Sequence, residues 1–168
     1  IDRNVTEMRI VGELGADDLL AGRMEETSRG IMQYGLREAF DQPLDSLRYA
    51  NGLRALAGNI YPGAVGDTLE TFDGRDLTAT PRYAIGFRNA RAATRSGSTL
   101  VLSLSVGNME QMEQLADAIE AQGERRFTID AESVLGAAAR TTEILITLPA
   151  GWQARLPEGV RARSAFGE

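Results

Sequence analysis

The sequence predicts an α+β fold, mainly an antiparallel β-sandwich with two or three helices packed against it. Three observations carry that expectation. From Thr99 to Val106 the chain alternates, with Leu100, Leu102, Leu104 and Val106 on one face and mostly small polar residues on the other. This is the pattern of a half-buried antiparallel strand. Leu44, Leu47, Tyr49, Leu53, Leu56 and Ile60 instead recur at helical spacing, and Pro and Gly punctuate the segments in between.

In chain order, Val5, Thr6, Met8, Ile10 and Val11 lead to Gly12, and the turn-rich Gly15-Ala16-Asp17-Asp18 precedes Leu19-Leu20 and the stretch from Arg23 to Glu26. A β-hairpin is expected there. Asn4-Val5-Thr6 matches a glycosylation acceptor, a three-residue pattern short enough to recur by chance. Thr27-Ser28 offers a cap for a helix carrying Ile31, Tyr34, Leu36 and Phe40, although Gly30 and Gly35 each weaken it by about 1 kcal/mol relative to Ala. Asp41-Gln42-Pro43 is a cleaner start signal for a second helix, closed by Tyr61-Pro62-Gly63.

Near Ala64 the period changes from helical to two, so the chain is expected to divide at that point. Residues 1–62 form a strand hairpin plus helices, and 63–168 a sandwich-like part with one helix, unless both belong to one continuous domain. Tyr83, Ile85 and Phe87 alternate with Arg82 and Arg88, and the polar connection from Arg91 to Ser98 suggests that this strand pairs with 99–106. A third helix is expected from Asn108, an N-cap followed by Gln111, to Gly123, with an acidic outer face. Strands return at Arg126 to Asp130 and Thr141 to Leu148, and the echo Leu148-Pro149-Ala150-Gly151-Trp152 and Leu156-Pro157-Glu158-Gly159-Val160 reads twice as strand, turn, strand.

Composition restricts the chemistry. Among 168 residues there is no His, no Cys and no Lys, so all 18 positive charges are arginines. That excludes Ser-His and Cys-His dyads, Schiff-base chemistry and ordinary zinc coordination, and no catalytic residue is expected. Asp67, Glu70, Asp73 and Asp76 are acidic enough to hold a hard cation, but they lack the EF-hand order and read as turn residues. No metal or other cofactor is expected. The net charge of -6 argues against nucleic acid as a partner. No apolar run reaches the roughly 20 residues that cross a bilayer, and a chain opening on Ile1-Asp2-Arg3-Asn4 is expected to be a piece of a longer protein. Trp152, the single tryptophan, is a candidate contact for a sugar or peptide or a cover for the core edge. Arg125-Arg126 beside Phe127 are a candidate clamp for a carboxylate.

The ending carries a resemblance. Ile144-Leu145-Ile146-Thr147-Leu148-Pro149-Ala150-Gly151-Trp152, then Leu156-Pro157, then Ser164-Ala165-Phe166-Gly167 resembles the C-terminal accessory domain of bacterial transglutaminase-like proteins. Arg37, Tyr61-Pro62-Gly63-Ala64 and Arg125-Arg126 look like the region that follows the papain-like core of those proteins. The resemblance implies a non-catalytic accessory domain, extracytoplasmic and bacterial, whose partners are the parent protein's own catalytic core or another protein or peptide. A carbohydrate- or peptide-binding sandwich module centred on Trp152 is the alternative expectation.

Overall fold

The computed structural model describes residues 4–42, 44–104 and 139–155. Strands β1 (Val5–Leu14) and β2 (Leu20–Arg29) form the expected hairpin, in register from Val5 opposite Arg29 to Leu14 opposite Leu20. The turn is set by Asp18, which takes a left-handed φ of 65° while its N–H donates to the Gly15 carbonyl at 3.1 Å. Asp tolerates that conformation better than most residues. Asp17 Oδ1 accepts the Leu19 N–H at 3.2 Å and closes the loop.

Along β1 every second residue from Thr6 to Leu14 is buried, which fixes an inner and an outer face. Strands β3 (Val65–Glu70), β4 (Arg82–Ala90) and β7 (Ala139–Thr147) complete a five-stranded sheet in the order β3-β4-β2-β1-β7. This one sheet takes strands from both sides of residue 62. Its inner face carries Ile10, Leu20, Ile85 and Phe87, all at most 1% exposed. Each such side chain contributes about 1.5–3 kcal/mol by burial.

Helix α1 (Gln33–Ala39) and helix α2 (Ser46–Gly58) cover part of that inner face. Tyr49, Leu53 and Leu56 of α2 meet the core, and Ile60 beyond its end is buried. Leu47 falls off this stripe and is exposed, because a residue two before Tyr49 lies on the opposite side of a helix. The helix sits so close to β3 that a Cβ at Gly66 would come within 2.6 Å of Leu53 Cδ1.

The outer face is wet and charged. Arg9 pairs with Glu143 at 2.7 Å, Arg23 with Glu70 at 2.5 Å, Arg82 with Glu25 at 3.4 Å and Arg29 with Glu7 at 3.5 Å. Exposed pairs of this kind are worth about 0–1 kcal/mol each. Ala84, on the same face between its cross-strand neighbours Glu25 and Glu70, is nonetheless only 1% exposed.

Several sequence expectations are corrected. Thr27 and Ser28 do not cap a helix: both belong to β2, and Ser28 N–H donates to the Pro81 carbonyl at 3.1 Å. The strand is broken by Gly30, whose φ of 66° turns the chain into one 3₁₀ turn, Gly30–Met32, ahead of α1. Helix α2 starts later than Asp41-Gln42 suggests, since Asp45 supplies the cap by accepting the Arg48 N–H at 2.8 Å. It also ends at Gly58, before Tyr61-Pro62-Gly63. That tripeptide forms a separate turn, with Ala64 N–H on the Tyr61 carbonyl and Gly63 at φ 78°.

The pairing of 82–88 with 99–106 is also corrected. Strand β4 lies between β2 and β3, whereas β6 (Thr99–Leu102) pairs with β5 (Ala93–Ser96), inside the stretch read as a connection. Two residues cause this. Asn89, at φ 61°, sits in the irregular register that ends β4, and Gly97, at φ 60°, is the first central residue of a two-residue hairpin turn. Strand β7 runs parallel to β1, so the sheet is mixed. Among the described residues the second sheet is the β5-β6 hairpin alone, short of the full second layer of a sandwich. The expected helix at 108–123, the strand at 126–130, the Leu156-Pro157 turn and the Ser164-Ala165-Phe166-Gly167 element lie outside the described residues.

Candidate functional site

At the Leu14 end of the sheet three turns converge. They are the β1-β2 turn, the β5-β6 hairpin and the Pro149-Ala150-Gly151-Trp152 turn after β7. The last is closed by the Trp152 N–H on the Pro149 carbonyl at 3.2 Å, with Gly151 at φ 84°. A positive φ at that position is the requirement of a type II turn.

Arg95 ties the three together. Its Nε donates to Asp18 Oδ2 at 2.6 Å, its Nη2 donates to Asp18 Oδ1, and its guanidinium carbon lies 5.0 Å from the centre of the Trp152 ring. The forked donor matches the carboxylate, and the planar cation stacks on the aromatic face. Because Arg95 binds the charged form, the Asp18 carboxyl is held below its usual range.

Beside this stack lies a groove of about 900 Å³. Its walls are aliphatic: Leu14, Leu100, Val101, Leu102, Leu104 and Leu148. Trp152 and Arg155 line the same space, with Ser98, Thr99 and Gln153 adding neutral polar groups. Val101 is 63% and Leu104 56% exposed, high values for aliphatic side chains that border a concavity. On a surface of this kind, any binding energy would come from burying apolar area. None of the described residues lining it pairs a nucleophile with an activating base.

A second cluster lies on the inner face. Glu26 faces Met8 and Tyr83 across the strands, and the Tyr83 hydroxyl donates to Glu26 Oε2 at 3.4 Å. Burial raises the Glu26 carboxyl above its usual range, opposed by the charge of Arg140. The same burial, reinforced by Glu26, drives Tyr83 far upward. The phenol keeps its proton and donates it to the carboxyl, so the two form a hydrogen-bonded pair within the sheet, and among the described residues no second carboxylate faces them across the strands, as acid-base chemistry on a carboxylate pair would need.

Of the residues singled out in the sequence, Trp152 is in the groove wall, and Arg125 and Arg126 lie outside the described residues. The acidic set does not converge. Asp73 and Asp76 accept backbone N–H groups of Arg75 and Thr78, and Glu70 pairs with Arg23. Among the described residues no group of three or more acidic side chains is placed to hold a metal ion. Asp18, Arg95, Val101, Leu104 and Arg155 were not legible as a site. Their one sequence signal is Val101, an apolar residue on the otherwise polar face of the 99–106 alternation.

Comparison with protein-family models, with curated proteins and with solved structures found no match.

Proposed function

We propose that this chain is a non-catalytic accessory and interaction domain of a bacterial, extracytoplasmic transglutaminase- or protease-like protein. It receives the parent's own catalytic core, or another protein, in the groove beside Trp152. The observation that carries the reading is that groove: an aliphatic concavity with exposed Val101 and Leu104 at its edge, in a chain without His, Cys or Lys. The Leu148-Pro149-Ala150-Gly151-Trp152 ending that resembles the accessory domain also forms one wall of the groove, so the motif and the surface coincide.

The reading is tested by amide exchange on the chain alone and joined to the segment that precedes it in its parent protein. Protection of residues 99–104 on joining, with no transglutaminase or protease turnover by the chain alone, is the expected outcome. Turnover by the isolated chain, a parent without a papain-like core, or unchanged exchange at 99–104 contradicts it.

A further inference from the structure

The groove is apolar along its walls but not electrically neutral. Arg95 is already paired with Asp18 in the β1-β2 turn. Among the described residues Arg155, exposed at the groove, has no hydrogen-bond or ion-pair partner, and none of those lining the space is acidic. In a chain of net charge -6 this is one uncompensated positive charge beside a concave aliphatic surface. Five consecutive residues, Ser98 to Leu102, border the groove, so its long wall is an extended backbone.

We propose that the occupant of the groove is an extended peptide segment of the partner protein that buries aliphatic side chains against Leu100, Leu102, Leu104 and Leu148 and sets a carboxylate against Arg155. This rests on the docking reading above and specifies its ligand. Aliphatic side chains supply the affinity, because burying them removes apolar area from water on both partners. The carboxylate supplies orientation, because a guanidinium donates two parallel N–H bonds to the two oxygens of one carboxylate. A sugar suits the site less. Its hydroxyls would be desolvated against six aliphatic walls with few groups to satisfy them.

Trp152, the only tryptophan, gives the readout. Its emission is followed while the purified chain is titrated with three blocked hexapeptides of alternating Leu and Gln that end in Glu, Gln or Lys. The Glu peptide is expected to bind at least about tenfold more tightly than the Lys peptide at 10–20 mM salt. The gap should narrow severalfold near 0.5 M salt, where the screening length falls to about 4 Å. Arg155→Gln should make the three peptides equivalent while leaving the circular dichroism unchanged. Val101→Asp should weaken all three.

Equal binding of the Glu and Lys peptides, or a preference that survives Arg155→Gln, overturns the proposal. So does an emission shift with maltohexaose but with none of the peptides. In each of these cases the docking reading still stands if Val101→Asp releases the joined catalytic core. If the core stays docked in Val101→Asp, the docking reading falls as well.

Discussion

Replacing Arg37 with Met tests how this small sheet holds its long connection between β3 and β4. Arg37 is buried at 9% exposure and makes no ion pair with a carboxylate among the described residues. Its guanidinium donates to the carbonyls of Asp76 and Ala79 at 2.8 Å each and of Gly74 at 3.3 Å, and to Gln33 Oε1 at 3.1 Å. It also lies 5.7 Å from the Phe72 ring centre. One side chain of α1 thus clasps the connection at three points.

A hydrogen bond from a charged donor is worth about 1.5–3 kcal/mol. The three carbonyls do not lose that much each, because Asp76 is exposed and Ala79 half-exposed, so water replaces part of what is lost. Methionine also keeps most of the aliphatic stem in place. The net cost expected is about 2–4 kcal/mol, most of it from Gly74, which is buried. For a chain of this length that lowers the melting temperature by about 5–15 °C. Thermal unfolding followed by circular dichroism measures it, and trypsin cleavage after Arg75, inside the clasped connection, should accelerate at least about tenfold. Arg37→Lys should fall between, since an ammonium reaches one or two of the carbonyls. A melting point within about 2 °C of the parent chain, with Arg75 equally resistant, would refute this reasoning.

Further outcomes are expected elsewhere. The Asp18 carboxyl is depressed in the folded chain, so its contribution is present above its unfolded value of about 3.9 and is lost as pH falls through the lower folded value. Acidification below about pH 4 should therefore change Trp152 emission as Arg95 is released, and Asp18→Asn, which keeps a residue tolerant of the left-handed turn, should show that emission already at neutral pH. Glu26 is shifted the other way, so its ionised form opposes folding at neutral pH and protonation relieves this as pH falls through the raised folded value. Glu26→Gln should leave stability equal or higher at pH 7 in urea unfolding, with the gain disappearing below about pH 4. Ile85→Ala, at a fully buried position, should cost about 2–5 kcal/mol in the same assay.

Much of the fold was legible because it is written in local period. The hairpin follows from the alternation through Met8 and Ile10 and from the Asp17-Asp18 turn. Helix α2 follows from Tyr49, Leu53 and Leu56, and β7 from Ile144 and Ile146. Strand partnership was not legible, since alternation at Tyr83, Ile85 and Phe87 says which face is buried but not which neighbour supplies the hydrogen bonds. Backbone conformation decided it at Asn89 and Gly97.

The site was less readable still. Trp152 stood out by being unique, but Arg95 lies 77 residues from the Asp18 it binds, and nothing local in a polar stretch announces such a contact. Arg37 was invisible as a clasp for the same reason: its three acceptors in the connection it holds are backbone carbonyls, which carry no residue identity.

The claim on which the functional account turns is that partners meet the groove and not the charged outer face of the sheet. A photoreactive benzophenone side chain placed at Val101 reports the first surface, and one at Leu145, 44% exposed on the outer face, reports the second. Irradiation in the presence of the catalytic core that the proposed function assigns to the parent protein should cross-link the Val101 probe and leave the Leu145 probe unattached. Cross-linking from Leu145 with none from Val101 would contradict the account.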